Sequence, residues 1–546
     1  MKKRLISLTL AILMMVAMLS VTAQAATDVT GDFTDPNFRA YVVKNYGKSG
    51  KIYAEDLAAV KDIDVKGSAI KTMAGIEHFP ALERLECSDN QLTTLDLSKN
   101  PALKTLVCSN VYLAELDISK NSELIHLTCY NTQLTALDVS KNPKLAELHF
   151  YLNRITELDV SKNLLLEVLD CSQQSLTKLD VSKNLKLKEL YCKGNELTEI
   201  NVSKNAVLKR LECGNNKLTT LDVSKNPALE ILGCAQNQLM ALDVSGNPAL
   251  WHFSCETNSL TELDVSKNPE LSSLYCGSNK LTSLEVSKNP KLTTLYCEAN
   301  QLTALDVSKN PELELFYCRN NLLTKLDLTN NTKLSVLDCS NNYFPSTVAI
   351  SGVSKWNHMN SGVDFFFNTQ KPQSELIPSP WSVEDVQRAA ELNLVPAYLD
   401  VNHTRATTRA EFCALAVALY EEVSRAPINV REKFADTADV NVQKMAALGV
   451  VLGVGNNKFD PDGTLTREQA AVMLARLSAV IGKPMAEKVA TFADKDTVSD
   501  WAVTQVGQVQ AAGIMSGVGE NKFAPKDSYT REQSIVTMLR VYNFVK

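Results

Sequence analysis

The sequence is poor in the features that would place a protein in a membrane or on nucleic acid. Beyond its N-terminus it has no run of about 18 apolar residues, the length that indicates a membrane-spanning helix. Its formal net charge of −6 is mild and gives no electrostatic argument for a nucleic-acid partner. We therefore expect no nucleic-acid binding and no membrane span in the mature chain.

Histidine is also scarce, which bears on catalysis. The chain has six histidines, and those in its central part, such as His149 and His252, are scattered. They suggest no acid–base–nucleophile set, and the segments assigned below leave no stretch for a catalytic domain. We expect the protein not to be an enzyme and to use no cofactor and no metal.

The N-terminus has the layout of a secretory signal peptide. Basic residues up to Arg4 precede an apolar run, Leu5 to Leu19, and a small-residue cleavage motif that ends at Ala25. We expect residues 1–25 to be removed, and the lack of a cysteine near this site excludes a lipoprotein anchor. Residues 26–80 are predicted to form an N-terminal cap, with a helix from Asp35 that has Pro36 in its first turn.

Cysteines recur at a constant interval in the middle of the chain. Twelve of the thirteen lie on a period of 21 residues between Cys87 and Cys339, and Phe150 fills the one slot without cysteine. A typical copy, Leu263 to Ser283, reads LDVSKNPELSSLYCGSNKLTS. One copy cannot bury its apolar side alone, whereas stacked copies bury a continuous core.

The position of the cysteine within a copy predicts its role. Leu274, Tyr275 and Cys276 alternate in, out and in, as in a short strand. Phenylalanine can form no disulfide and bind no metal, yet Phe150 fills the same slot. We expect free, buried thiols that act as small apolar side chains. The repeated asparagines, from Asn100 to Asn331, are expected to satisfy backbone groups of the turns as a ladder.

The pattern L-x-x-L-x-C-x-x-N-x-L resembles the leucine-rich repeat, in the short bacterial form that has cysteine in place of the third leucine. The resemblance covers residues 81–345. It implies a curved solenoid with a parallel β-sheet on its concave face.

Function is expected where the copies differ, at the outward strand position before the cysteine. Aromatic side chains there suit protein or sugar binding, although stacked tyrosines could instead only stabilise the sheet. Two further tyrosines lie two positions later in their copies. The candidate partner-binding residues are Tyr275, Tyr296, Tyr317, Tyr191, Tyr130 and Tyr151.

A second, longer repeat follows a C-terminal cap and linker at residues 346–379. Thr408-Arg409-Ala410-Glu411, Thr466-Arg467-Glu468-Gln469 and Thr530-Arg531-Glu532-Gln533 each form a capping box that opens an apolar helix. These units resemble S-layer homology modules, with boundaries at 380–430 (degenerate), 431–488 and 489–546. The resemblance implies an α-helical three-module domain that binds secondary polymers of the Gram-positive cell wall, commonly pyruvylated.

Three arginines suggest how such a polymer would be held. Each follows a helix N-cap, where a cation is disfavoured by about 0.3–1 kcal/mol, and an arginine fork suits a carboxylate. With the resemblance, this predicts a wall-polymer site in which the tryptophans stack on sugar and the aspartates accept hydroxyl groups. The alternative is that the arginines pair with carboxylates of neighbouring modules. The predicted residues are Arg409, Arg467, Arg531, Trp381, Trp501, Asp436 and Asp494.

Together these segments predict an exported cell-surface binding protein or adhesin, anchored to the wall without a covalent bond. The repeats would recognise a protein or a glycan that the sequence does not name. A structural S-layer subunit and a wall-associated enzyme are the alternatives.

Overall fold

The computed structural model describes residues 26–353 and 364–546, so the predicted signal peptide lies outside the described residues. The chain divides into two compact units, one up to Glu196 and one from Leu197 onward. Each unit is described by itself.

The first unit begins with the predicted helix, α1 (Pro36–Tyr46), and a short helix, α2 (Ala54–Leu57). Asp35 caps α1 by accepting hydrogen bonds from the backbone N–H groups of Asn37 (2.9 Å) and Phe38 (3.0 Å). A parallel sheet follows, with seven three-residue strands at a constant register: β1 (Asp62–Asp64), β2 (Arg84–Glu86), β3 (Thr105–Val107), β4 (His126–Thr128), β5 (Glu147–His149), β6 (Val168–Asp170) and β7 (Glu189–Tyr191).

The second unit continues with strands of the same kind, each pairing in parallel with the next: β8 (Arg210–Glu212), β9 (Ile231–Gly233), β10 (His252–Ser254), β11 (Ser273–Tyr275), β12 (Thr294–Tyr296), β13 (Leu315–Tyr317), β15 (Val336–Asp338) and β17 (Asp364–Phe366). A separate pair, β14 (Leu326–Asp327) and β16 (Ile350–Ser351), lies outside this sheet. The fold of the repeats is therefore the predicted leucine-rich solenoid with a parallel sheet.

Within a copy, the pattern of burial follows the predicted alternation. In β11, Leu274 is buried and the flanking residues are half-buried, and Cys276 after the strand is again buried. A second apolar run of the copy extends from Leu281 to Val286. Its apolar residues are buried as expected, but the run contributes one isolated bridge, at Glu285, and no regular strand.

Two ladders of asparagines join consecutive copies. In the first, Asn268 donates from Nδ2 to the carbonyls of Val244 (3.0 Å) and Asn247 (2.9 Å) in the preceding copy, as the sequence predicted. In the second, which the sequence analysis did not separate, Asn279 donates to the carbonyls of Cys255 (3.1 Å) and Cys276 (3.1 Å). Each copy thus hydrogen-bonds the turns of the copy before it.

The thirteen cysteines are buried and none of them is in a disulfide among the described residues. Phe150 is equally buried at the corresponding position of its copy. Burial raises the pKa of the thiols, to about 12 for Cys129, so almost no reactive thiolate forms at neutral pH. The predicted role as apolar core side chains is confirmed.

Thiol titration should reflect this burial. We expect the native protein to react slowly, at few sites, with a water-soluble disulfide reagent at pH 8. All thirteen thiols should react after unfolding in guanidinium chloride. Fast reaction of many thiols in the native protein would contradict the structure.

The C-terminal part is helical, with α3 (Val383–Glu391), α4 (Arg409–Ser424), α5 (Val440–Ala447), α6 (Arg467–Val480), α7 (Val503–Ala511) and α8 (Arg531–Val545). The three predicted capping boxes are present, at the starts of α4, α6 and α8. Among the described residues, no helix has both the length and the apolar character needed to cross a membrane.

A ring of backbone hydrogen bonds closes the helical part. Thr407 N–H donates to the Tyr529 carbonyl (2.8 Å), Tyr529 N–H to the Leu465 carbonyl (2.9 Å), and Leu465 N–H to the Thr407 carbonyl (3.0 Å). Each of these residues lies just before one of the three capping boxes. All three helical units therefore meet at one point, and each bonds to both others.

Candidate functional site

A groove in the helical part brings together two of the predicted wall-polymer residues, Trp381 and Arg467. It encloses a cavity of about 410 Å³. Trp381 lines one side, and Arg467 and Arg540 line the other with Gln533 and the turn at Gly517. A side chain at Gly517 would lie 2.8 Å from the Lys522 carbonyl, so glycine keeps this turn tight. We call this cavity the Trp381 groove.

Arg467 is 5% exposed and held in place by carbonyl groups. Its Nε donates to the Phe523 carbonyl (2.7 Å) and its Nη2 to the Ser516 carbonyl (2.7 Å), while the guanidinium lies 5.0 Å from the centre of the Phe523 ring. The remaining nitrogen, Nη1, is 3.4 Å from the Gln533 side-chain oxygen. Burial lowers the pKa of this arginine, and no ion pair to it occurs in the described ranges 26–353 and 364–546.

The same arrangement recurs around Arg409, in the helical module before the one that carries Arg467. Its Nε donates to the Phe459 carbonyl (2.9 Å) and its Nη2 to the Leu452 carbonyl (2.6 Å). The guanidinium lies 4.4 Å from the centre of the Phe459 ring. As for Arg467, the carbonyls orient the side chain but leave its positive charge without a carboxylate partner among the described residues.

Arg531, the third predicted arginine, has a different partner. Its Nη1 donates to the Val401 carbonyl, but its Nη2 forms an ion pair with Glu411 (2.7 Å). Arg405 also pairs with Glu411. Glu411 and Gln533 are both the last residue of a capping box. Beside Arg467, the neutral Gln533 occupies the position that the Glu411 carboxylate occupies beside Arg531. Arg531, unlike Arg467 and Arg409, therefore has a carboxylate partner within the protein, which it shares with Arg405.

The two predicted aspartates close turns of the backbone. The Asp494 carboxylate accepts hydrogen bonds from the N–H groups of Phe523 (2.7 Å) and Ala524 (2.8 Å). Burial opposes ionisation, but these two bonds lower the pKa of Asp494. The Asp436 carboxylate accepts from Phe459 and Asp460 in the same way, at 2.8 Å each. Both oxygens of each carboxylate are thus already engaged.

The predicted tryptophans project into solvent from loops that buried glutamates hold. Trp381 and Trp501 are each 55% exposed. Glu532 accepts hydrogen bonds from the backbone and hydroxyl of Ser379 (2.9 Å each), and Glu468 binds Ser499 equivalently (2.9 and 3.1 Å). The sequence analysis used these glutamates only as part of a capping motif. Their buried position shows that they orient the loops carrying the tryptophans.

On the repeats, the predicted tyrosine row is present. The ring centres of Tyr275 and Tyr296 are 4.8 Å apart, and those of Tyr296 and Tyr317 are 4.3 Å apart. All three side chains are half-buried, and burial together with Tyr317 raises the pKa of Tyr296 to about 12. The row continues through His252, whose ring is 5.4 Å from Tyr275.

The other predicted tyrosines lie in the first unit. Tyr130 and Tyr151 stack with an interplanar angle of 7° and a centre separation of 4.5 Å. The Tyr191 hydroxyl donates to Glu189 (2.6 Å). These contacts stabilise the sheet face and leave their role in binding a prediction.

Glu256, Gly277 and Glu298 lie beside the tyrosine row and are not among the residues predicted from the sequence. They occupy the position directly after the cysteine in three consecutive copies. The signal was visible at that position, where two acidic residues flank a glycine in consecutive copies, but the sequence predictions there included only the aromatic residues Tyr130 and Tyr151.

Known proteins resemble both parts of the chain. Residues 438–471 and 491–533 match the family model of the S-layer homology domain. The structure titled "Functional domain of InlJ from Listeria monocytogenes includes a cysteine ladder" is 36% identical, with a TM-score of 0.53, and the match covers 59% of this chain and 77% of that one.

Two curated relatives match over shorter stretches. A surface layer protein of Brevibacillus choshinensis is 26% identical over 145 residues, which are 26% of this chain and 12% of that protein. An amylopullulanase of Thermoanaerobacterium thermosulfurigenes is 25% identical over 172 residues, 29% of this chain and 9% of that enzyme. The chain thus spans only a small part of the length of these curated relatives.

Proposed function

The chain belongs to the cysteine-containing bacterial leucine-rich repeat proteins and carries S-layer homology modules at the cell surface, and from this we propose that it is a non-catalytic binding protein. The S-layer homology modules would hold it to a secondary cell-wall polysaccharide, and the repeats would bind a protein partner or a glycan.

The Trp381 groove carries the anchoring half of this proposal. It combines an exposed tryptophan, which can stack on a sugar ring, with an oriented arginine whose charge has no carboxylate partner in the described residues. Arg540 adds a second guanidinium to the lining of the groove. A sugar that bears a carboxylate, such as a pyruvylated one, would satisfy both features, because guanidinium binds carboxylate with two parallel hydrogen bonds.

A second groove is proposed from the repetition of the modules. Trp501 and Arg409 occupy the positions that correspond to Trp381 and Arg467, and Glu468 orients the Trp501 loop as Glu532 orients that of Trp381. The third set has Thr437 in place of tryptophan and an arginine that pairs with Glu411. We therefore assign polymer binding to Arg467 and Arg409 with the two tryptophans, and a role in the fold to Arg531, Asp436 and Asp494.

Similarity to an enzyme does not alter this proposal. The amylopullulanase shares only a 172-residue segment with this chain, and the S-layer homology part accounts for that similarity. Such a segment supports attachment to the same kind of surface and carries no argument for hydrolysis.

Sedimentation with purified Gram-positive cell walls tests the anchor. The full chain should pellet with intact walls and remain in the supernatant with walls stripped of their secondary polymer by hydrofluoric acid. Adding free, released polymer should compete for binding. Equal pelleting with intact and stripped walls would refute the proposed ligand.

A further inference from the structure

We propose that the sheet surface over Gly277 receives a lysine or arginine side chain of a protein partner. This inference rests on the binding role proposed for the repeats and specifies the partner's chemistry. We call the surface formed by Glu256, Gly277 and Glu298, with the adjoining edge of the tyrosine row, the Gly277 notch.

The notch exists because Gly277 has no side chain, whereas Glu256 and Glu298 occupy the same position in the copies before and after it. A methyl group at Gly277 would lie 2.9 Å from the Glu298 carboxyl carbon and 3.1 Å from its Oε2. The Glu298 carboxylate therefore leans over the glycine, toward the copy that carries Glu256. Any larger side chain at this position would displace it.

One oxygen of the Glu298 carboxylate is not satisfied by the protein. Its Oε2 is buried and accepts no hydrogen bond from the described residues. Burial raises the pKa of Glu298; its own backbone N–H and Arg319 oppose this rise, and Glu256 and Asp338 add to it. An unpaired oxygen held near a second carboxylate is unfavourable unless a donor with positive charge is supplied.

The neighbouring charges do not supply that donor. Arg319, in the next copy, lies 3.8 Å from Asp338 and forms its ion pair there. Glu256 accepts a hydrogen bond from the Ser254 hydroxyl (2.7 Å), which orients the carboxylate but brings no charge. Two carboxylates thus flank the notch without an ion pair in the described part of the chain.

The arrangement of the tyrosine rings favours a protein side chain over a sugar ring as the occupant of the notch. Sugar rings stack on aromatic faces, but both faces of Tyr296 are covered, by Tyr275 and by Tyr317. Tyr296, at the centre of the row, therefore presents its ring edge and hydroxyl group. Tyrosine hydroxyls accept hydrogen bonds from ammonium and guanidinium groups, and the ring edges can contact the aliphatic stem of the same side chain.

A free metal ion fits the notch less well. Calcium takes about six to eight oxygen ligands, whereas no group of three or more metal-binding side chains occurs among the described residues. A basic side chain needs fewer acceptors, because its few N–H groups can bind Glu298, Glu256 and a tyrosine hydroxyl. Charge complementarity thus favours a basic segment of a partner protein.

A displayed library of random twelve-residue peptides, selected on the full chain, provides the probe. Selected peptides should contain lysine or arginine. Their affinity, measured by fluorescence anisotropy, should fall at least about tenfold in Glu256→Gln with Glu298→Gln. Gly277→Ala should weaken binding as well, although it preserves both charges.

The matched control is Glu270→Gln with Glu312→Gln, which removes two exposed carboxylates that pair with Lys291 and Lys333. This control should bind the peptides as the wild type does, and all variants should still pellet with cell walls. Peptides without basic residues, or equal affinity for both double variants, would overturn the notch and leave the anchor intact. Loss of wall pelleting by the wild-type chain would instead count against the proposed function.

Discussion

Replacing Asn268 by aspartate is expected to cost about 3–5 kcal/mol of the unfolding free energy of the repeats at pH 7. The side chain is 0% exposed and donates both amide hydrogens to carbonyl oxygens of the preceding copy. Aspartate has the same shape but donates nothing when ionised. It would place a negative charge against two carbonyls in a fully buried site.

The effect should depend on pH, because burial must raise the pKa of the new carboxyl above its unfolded value of about 3.9. The deficit relative to wild type is therefore smallest below that value and grows as the pH rises through the folded pKa. Urea unfolding followed by circular dichroism between pH 4 and pH 8 measures it.

Asn201→Asp is the matched control for this substitution. Asn201 is exposed, and its side chain accepts a hydrogen bond from Ser203 N–H (3.0 Å). The corresponding Asp222 accepts one from Ser224 in the same way (2.9 Å). The control should keep wild-type stability, and equal losses in both variants would show that the asparagine ladder contributes nothing special.

Replacing Arg467 by glutamine is expected to weaken binding to purified cell walls at least about tenfold. The substitution removes the guanidinium that would bind the anionic group of the polymer in the Trp381 groove. Glutamine also loses the hydrogen bonds to the Phe523 and Ser516 carbonyls, so the helical part should unfold at a lower temperature. Wall sedimentation over a range of protein concentrations gives the affinity.

Arg531→Gln separates binding from stability. Arg531 is as buried as Arg467, at 3% against 5% exposed, and it also donates to a backbone carbonyl. Its loss should lower the unfolding temperature similarly, yet it should leave wall affinity nearly unchanged because its guanidinium is already bound to the Glu411 carboxylate. Equal loss of wall affinity in the two variants would contradict the assignment of the groove.

The structure of the repeats could be predicted closely from the sequence because every copy has the same kinds of residue at its core and turn positions. The constant 21-residue step of the cysteines, and the replacement of one of them by Phe150, identified the inward slot. The outward position of Tyr275 followed from strand alternation alone. The position of the Glu298 carboxylate next to Gly277 was not predicted. The direction in which a side chain points toward a neighbouring copy cannot be inferred from the sequence of either copy alone.

The candidate wall-polymer site could be predicted less completely from the sequence, for a different reason. The sequence placed Arg467 next to a helix N-cap, but its hydrogen-bond partners lie at Ser516 and Phe523, in another module. Such pairs depend on how three modules close together, which the spacing of a single motif does not specify. For the same reason, Glu411 in place of the glutamine found at 469 and 533 could be seen in the sequence, but its effect on Arg531 could not.

The ring of hydrogen bonds at Thr407, Leu465 and Tyr529 implies that the two parts of this protein can evolve in different ways. A module deleted or duplicated by recombination would break a closed triangle, so the anchor should persist or disappear as a whole. A repeat copy instead ends in backbone groups that can form hydrogen bonds with any further copy. Gene rearrangements in steps of 63 base pairs, one 21-residue copy each, could therefore lengthen or shorten the binding arm while its attachment to the wall stays the same.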